Sequence, residues 1–288
     1  MNFLALVVGL LLDLALRKYE YLRGSRWFRA YFESLASLAQ ATGIWRASLG
    51  VLVIVMVPTI VTLFVGQLLA QVWIGFGFAF GVLLVLLTLG PHDLHTRASE
   101  YLEVLRSGRR EEARELAREL LHTEPPVDSV ACAEAITRTV FAEANDRLYG
   151  ILFWFALLGP AGAVLYRSTD FLRRLPAEEP RSTEFIAAVA RLHGVLAWIP
   201  AHLAALGYGL SGSFENAVSE LRTFYANCTL RFHQVSDDLL ICAGLGALGP
   251  DAHQNGAERL RSALVLVRRT LIIWMAVYTL ITLIVWAL

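Results

Sequence analysis

Read for hydrophobic and polar positions, the chain falls into long uncharged blocks separated by arginine-rich stretches. From Ala47 through Pro91 no charged residue occurs. As one helix that run would be roughly 68 Å long at about 1.5 Å per residue, against a hydrocarbon core of about 30 Å. It is therefore expected to fold back into two spans, near Ser48–Gly66 and Val72–Gly90, turning around Gly66, Gln67, Gln71 and Gly75. Thr270–Leu288 reads as a second clear span, preceded by Arg268 and Arg269, with Trp274, Tyr278 and Trp286 as interfacial anchors.

Other blocks leave alternatives open. Leu148–Tyr166 is uncharged, but Gly159-Pro160 interrupts it, and a proline there kinks or ends a helix, so a re-entrant path is open. Leu192–Phe214 holds His193, Pro200 and His202 and fits either a span or an interfacial helix. The first apolar helix, up to about Arg17, is short and carries Asp13, which at that depth faces protein or water. Its basic residues follow the apolar core, so it reads as a retained helix and not a signal peptide.

Between these blocks lie the polar segments Arg17–Arg46, His92–Arg147, Arg167–Arg191 and Glu215–Arg269. Positive-inside reasoning places the first, second and fourth in the cytoplasm; Arg167–Arg191, itself arginine-rich, conflicts with a plain six-span scheme. Within Glu100–Leu121 a break is expected at Ser107-Gly108, followed by a helix whose Ala113, Leu116, Ala117, Leu120 and Leu121 share one buried face. Glu124-Pro125-Pro126 ends that helix, and Asp128 or Ser129 caps the next. No strand alternation occurs. The expectation is an all-α integral membrane protein with about four to six membrane-embedded helices, one kinked or re-entrant, plus cytoplasmic helices. Its expected regions are 1–91 (membrane helices with a 48–90 hairpin), 92–147 (cytoplasmic helices), 148–214 (a core with membrane-embedded helices), 215–269 (cytoplasmic helices) and 270–288 (a terminal span).

Composition agrees with a bilayer solvent. Hydrophobic residues make up 56% and charged residues 17% of the chain, where an ordinary soluble domain carries about 25% charged. The formal net charge is zero, so no bulk field favours nucleic acid, and none is expected as a partner. Cys132, Cys228 and Cys242 are far apart in sequence and form neither a disulfide framework nor a zinc spacing. There is no P-loop, no G-x-G-x-x-G following a strand, no H-E-x-x-H and no G-x-S-x-G.

Candidate chemistry is confined to polar clusters beside the apolar runs. His92-Asp93-Leu94-His95 offers ligands for a cation or phosphate, or simply a polar cap where the chain leaves the membrane. In Glu143-Ala144-Asn145-Asp146-Arg147, Asn145 or Asp146 can cap the helix that begins at Leu148, or bind a ligand. Tyr166 and Arg167 close that helix, with Asp170 three residues beyond Arg167; the guanidinium suits a phosphate or carboxylate, or an anchor at the headgroups. His233, Asp237 and Asp238 stand at helical spacing, as a metal or proton-relay pair or as surface residues.

Leu148–Asp170 reads LYGILFWFALLGPAGAVLYRSTD, and with the preceding EANDR it resembles the AmpE/CobD–CbiB family of bacterial membrane proteins. The stretch RASEYLEVLRSGRREEARELARELL resembles the family's cytoplasmic helices, and Trp198-Ile199-Pro200-Ala201-His202-Leu203 its W-[LI]-P-A-R-L element. One branch of the family is an ATP-dependent adenosylcobinamide-phosphate synthase, which joins an aminopropanol unit to the corrin side chain. The AmpE branch is an inner-membrane protein linked to β-lactamase induction and cell-wall recycling. Several synthase features are missing. Leu121-His122-Thr123-Glu124-Pro125 replaces its G-R-D-T motif, Arg138 and Ala142 replace two glutamates, Asp170 replaces an asparagine and His202 an arginine.

These departures point the sequence reading to the AmpE branch. The resemblance then implies a multi-pass protein of the bacterial inner membrane acting in regulation or sensing, ligand-binding and not catalytic, with synthase-type transfer as the alternative. Its ligand-binding neighbourhood is expected at Glu143, Asn145, Asp146, Tyr166, Arg167, Asp170 and His202, with no catalytic residue assigned. The expected partners are the lipid bilayer and either a cell-wall-derived small molecule or a cytoplasmic protein docking on Glu100–Leu121. No cofactor is identified and no metal site is expected.

Overall fold

A computed structural model describes residues 2–15, 48–89, 93–175, 183–249 and 256–287. Among these the chain is helical throughout, with no strand. The helices are α1 (Asn2–Ala15), α2 (Ser48–Val72), α3 (Ile74–Leu89), α4 (Asp93–Arg106), α5 (Arg110–Leu121), α6 (Ser129–Ala144), α7 (Gly150–Leu158), α8 (Pro160–Arg174), α9 (Thr183–Ser211), α10 (Phe214–Asn227), α11 (Ser236–Leu248) and α12 (Gly256–Ala287). A π turn, Asn145–Tyr149, joins α6 to α7. Packing divides the described chain into two compact units, 1–91 with 146–197, and 92–145 with 198–288.

In the first unit α2 and α3 form the expected hairpin, with the turn at the far end of the expected Gly66–Gly75 stretch. The helix runs through Gly66, Gln67 and Gln71 to Val72, and the break is the single residue Trp73. Nothing at Gly66 forces a turn, because a glycine inside an apolar helix costs only about 1 kcal/mol. The close approach comes instead at Gly77, where an added Cβ would stand 2.9 Å from the Ala70 methyl. At its start α2 buries Val51, Ile54 and Val55 against Leu172, Phe185 and Val189. Further along, Ile60, Val61, Phe64 and Leu68 are exposed, as lipid-facing positions would be.

The uncharged run from Leu148 is not one span. Helix α7 stops at Gly159, whose φ of 66° and ψ of −153° suit only glycine, and Pro160 starts α8. The two helices fold back on each other so closely that a Cβ at Gly162 would lie 2.1 Å from the Trp154 carbonyl oxygen. The run thus forms a short helical hairpin, and it is not among the stretches long and apolar enough to cross a membrane. Neither Asn145 nor Asp146 stands at the start of a helix, because none begins at Leu148: α6 continues through the π turn into α7.

The second unit is a bundle of α4, α5, α6, α11 and the first part of α12, with α10 on α11. The break at Ser107-Gly108 and the buried Ala113, Ala117 and Leu120 of α5 are as expected. Asp128 caps α6 by accepting from the Ala131 amide at 3.0 Å. His233 and Asp237 do not share a helix: His233 sits in the 3₁₀ turn Phe232–Gln234, and α11 starts at Ser236. Helix α12 begins at Gly256, well before the expected span at Thr270.

Among the described residues three helices are long and apolar enough to cross a membrane, at Gly50–Val72, Thr183–Ser211 and Gly256–Val285. A fourth is added if Ile74–Leu89 and Leu94–Arg106 act as one bent span. Three falls below the expected four to six and four just meets it, in part because the Leu148–Tyr166 run splits. The segment 17–46, His92 and the side chains of Asp13, Asp93 and Trp286 lie outside the described residues.

Candidate functional site

Among the described residues of the first unit, a cluster of charged and polar side chains is deeply buried. The π turn carries Asp146 into the packed interior, where it is 2% exposed. Facing it is α8, on which Tyr166, Asp170 and Arg174 recur every fourth residue and Arg173 falls one heptad after Tyr166. The geometry follows from small residues nearby: a Cβ at Gly150 would strike the Tyr166 ring at 2.2 Å, so glycine is what lets the ring lie flat against α7.

Each carboxylate oxygen is engaged. Tyr166 donates its hydroxyl to Asp146 Oδ1 at 2.9 Å, and His193 Nε2 lies 3.1 Å from the same oxygen. The other oxygen, Oδ2, accepts from Arg173 and, at 3.3 Å, from Arg174 Nη2. Asp170 is wholly buried; Arg174 Nε donates to its Oδ1 at 2.7 Å and Arg167 Nη1 to its Oδ2 at 2.9 Å. His193 Nδ1 stands 3.4 Å from the hydroxyl of Thr169, which itself donates to the Tyr166 carbonyl. Helix α9 presents His193 from a segment where Pro200 lacks the N–H that would bond the Leu196 carbonyl. The Trp154 indole N–H takes that place at 3.0 Å.

The electrostatics are those of a tight ion-pair network. Burial alone would raise the Asp146 pKa, but His193, Arg173 and Arg174 outweigh it and hold the carboxyl well below the usual carboxylate range. Burial first, then the charges of Asp146 and Asp170, pushes the Tyr166 phenol well above its ordinary value, so it stays a hydrogen-bond donor. Burial lowers the Arg167 pKa, with Asp170 opposing the shift.

Asp146, Asp170 and His193 offer ligand atoms within 4.8 Å of one another, a grouping a divalent ion can use. The rest of the donor set argues for an anion. Three guanidiniums stand against two carboxylates, every carboxylate oxygen is already paired, and a dication would have to displace arginines. Arg173 and Arg174 keep 32% and 31% of their side chains accessible, so the excess positive charge faces outward.

Of the residues expected at the site, Asp146, Tyr166, Arg167 and Asp170 are brought together. Glu143, Asn145 and His202 belong to the second unit. There His202 Nε2 is 2.6 Å from the Tyr225 hydroxyl and Nδ1 2.7 Å from the Trp198 carbonyl. The sequence reading missed Arg173, Arg174, His193 and Thr169. The signal for the arginines was present: they stand three and four residues after Asp170, on the face of Tyr166.

A family profile described as CobD/Cbib protein matches residues 6–235. The cobalamin biosynthesis protein CobD of Stutzerimonas stutzeri is 30% identical over 177 residues, 61% of this chain and 57% of that protein. The protein of the same name from Chromobacterium violaceum is 30% identical over 174 residues, 58% of this chain and 53% of its own length. The matched part of the chain thus spans little more than half the length of these curated relatives. No solved structure matches the chain. The relatives overturn the expectation of a regulatory protein of β-lactamase induction, since both carry a biosynthetic name. That expectation gave weight to replaced polar groups such as Arg138, Ala142 and His202, none of which belongs to the cluster around Asp146.

Proposed function

The chain belongs to the CobD/CbiB family, and from that premise we propose a membrane-embedded transferase of the adenosylcobinamide-phosphate synthase type. It joins an amine to a side-chain carboxylate of a corrin, with ATP as the activating substrate, and resides in the bacterial cytoplasmic membrane. The single observation that carries this reading is the buried Asp146–Asp170 pair holding Arg173 and Arg174 with their outer parts accessible. Amide formation from a carboxylate requires an oxygen to leave. Transfer of a phosphoryl group from ATP to that oxygen releases ADP, and attack of the free amine on the acyl carbon then expels phosphate. Both events move charge on phosphoryl oxygens, which preorganised guanidiniums stabilise.

In this reading Arg173 and Arg174 contact phosphoryl oxygens, and Asp146 and Asp170 fix their orientation. Tyr166 and His193 hold Asp146, and Arg167 neutralises Asp170 from the buried side. The test is complementation of a bacterium that lacks the synthase, grown where cobalamin is required. Wild-type protein is expected to restore growth, and the variant with Arg173→Ala and Arg174→Ala to fail at equal membrane levels. No restoration by wild-type protein present at normal membrane levels would sink the proposal.

A further inference from the structure

Helix α12 changes character half-way along. Its first part buries Leu260, Ala263 and Leu264 in the second unit, against α6 and α4. Beyond Arg268 and Arg269 it carries no charge and leaves Ile272, Val277, Leu280 and Ile281 exposed, which is the surface of a helix in lipid. The crossing from water to hydrocarbon therefore falls close to Thr270.

That level is also where α9 ends. Ser211 Oγ lies 2.9 Å from Thr270 Oγ1, and a Cβ at Gly207 would meet the Thr270 methyl at 2.6 Å. On the same turns Leu203, Leu206 and Leu210 recur at helical spacing, 43%, 51% and 58% exposed, and Phe214 follows at 51%. By length and apolarity this stretch belongs to a candidate span. Its neighbour rules out deep immersion. Helix α10 runs back alongside it, since a Cβ at Gly209 would touch Phe214 and Ala217 while Tyr225 reaches His202. That returning helix carries exposed Glu215, Glu220 and Arg222, which are expensive at hydrocarbon depth.

We infer that Leu206, Leu210 and Phe214 form an interfacial foot, lying in the headgroup–acyl boundary of the bilayer beside α12. Lipid is the occupant because the apolar stripe continues into the bare half of α12. Arg268 and Arg269 stand at the junction where lipid phosphates would lie, and the Trp274 indole nitrogen packs 3.5 Å from the Cβ position of Gly207.

The test places a photoreactive benzophenone side chain at Leu210, Phe214, Thr223 or Ile281 of the full chain. The protein is reconstituted in vesicles of phosphatidylethanolamine and phosphatidylglycerol containing a radiolabelled phospholipid. Lipid adducts are expected at Leu210 and Phe214 at a level comparable to Ile281, and several-fold lower at the exposed Thr223. Crosslinks at Leu210 and Phe214 to another protein chain, without lipid, would overturn the inference in favour of a protein partner. Strong lipid adducts at Thr223 would overturn it in favour of an α9–α10 pair immersed in the membrane. Labelling at Ile281 alone would mean that the foot stands clear of the bilayer.

Discussion

Asp146 is buried with four partners, and removing its charge strands the cations gathered on it. Breaking a buried ion pair from one side costs about 3–5 kcal/mol, so Asp146→Asn should lower the thermal midpoint markedly in detergent. Tyr166→Phe removes one hydrogen bond to a charged group and should cost less, about 1.5–3 kcal/mol. A midpoint unchanged in Asp146→Asn would mean the network contributes nothing. The pH dependence has a definite sign. The folded carboxyl is held below its ordinary value, which is about 3.9. Its stabilisation is therefore complete above that pH and is lost as pH falls through the lower folded value. Wild-type protein should lose stability on acidification below about pH 4, and Asp146→Asn should show a flatter profile over the same range.

At the scale of elements, two contacts set the site in place. The α7–α8 hairpin depends on Gly162, where a side chain would collide with the Trp154 carbonyl, a backbone atom that cannot swing aside. Gly162→Val should therefore destabilise by at least the 1–3 kcal/mol typical of overpacking, read by thermal unfolding. The second contact is the Trp154 indole on the Leu196 carbonyl. Trp154→Phe leaves that acceptor without its donor, at a cost of about 1–3 kcal/mol. Pro200→Ala returns the missing backbone N–H, so Trp154→Phe should cost less in the Pro200→Ala background than in wild type. Equal costs in both backgrounds would show that the proline and the indole are unconnected. None of this pairing was legible in the sequence. Gly159-Pro160 announced a break, and the break is there, but whether it ends a helix or kinks it depends on what packs across it. The turn of the first hairpin falls at Trp73, inside the expected Gly66–Gly75 stretch but at its far end, for a related reason. A glycine in an apolar helix is only a weak breaker, and the close contact that decides the hairpin lies at Gly77 and Ala70. Asp146, Tyr166, Arg167 and Asp170 could be picked out because they flank an uncharged run. His193 lies in an apolar stretch and carries no such mark.

For the whole molecule, charge-free runs fall within each of the three candidate spans of the described residues, because a bilayer selects on composition, but the charge-free Leu148–Tyr166 run is a packed hairpin instead. They did not divide the chain into its packed units, since each of these joins segments far apart in sequence. Both units nonetheless carry apolar surface of their own. In the first, α2 exposes Leu52, Met56, Ile60, Phe64 and Leu68 among others; in the second, the end of α12 exposes Ile281, Leu283 and Ile284. Each such residue favours the membrane interior by about 0.3–0.6 kcal/mol on the insertion scale, so a helix of them is held firmly without help from the rest of the chain. Deleting residues 271–288 should therefore leave the protein in the membrane pellet after an alkaline carbonate wash, retained by α2 and α3. The same deletion should abolish lipid crosslinking from a benzophenone at Phe214, because the foot beside Thr270 loses the helix that keeps it at the interface. Release of the shortened chain into the supernatant would instead mean that α12 is the principal anchor and that the α2–α3 hairpin does not cross the bilayer.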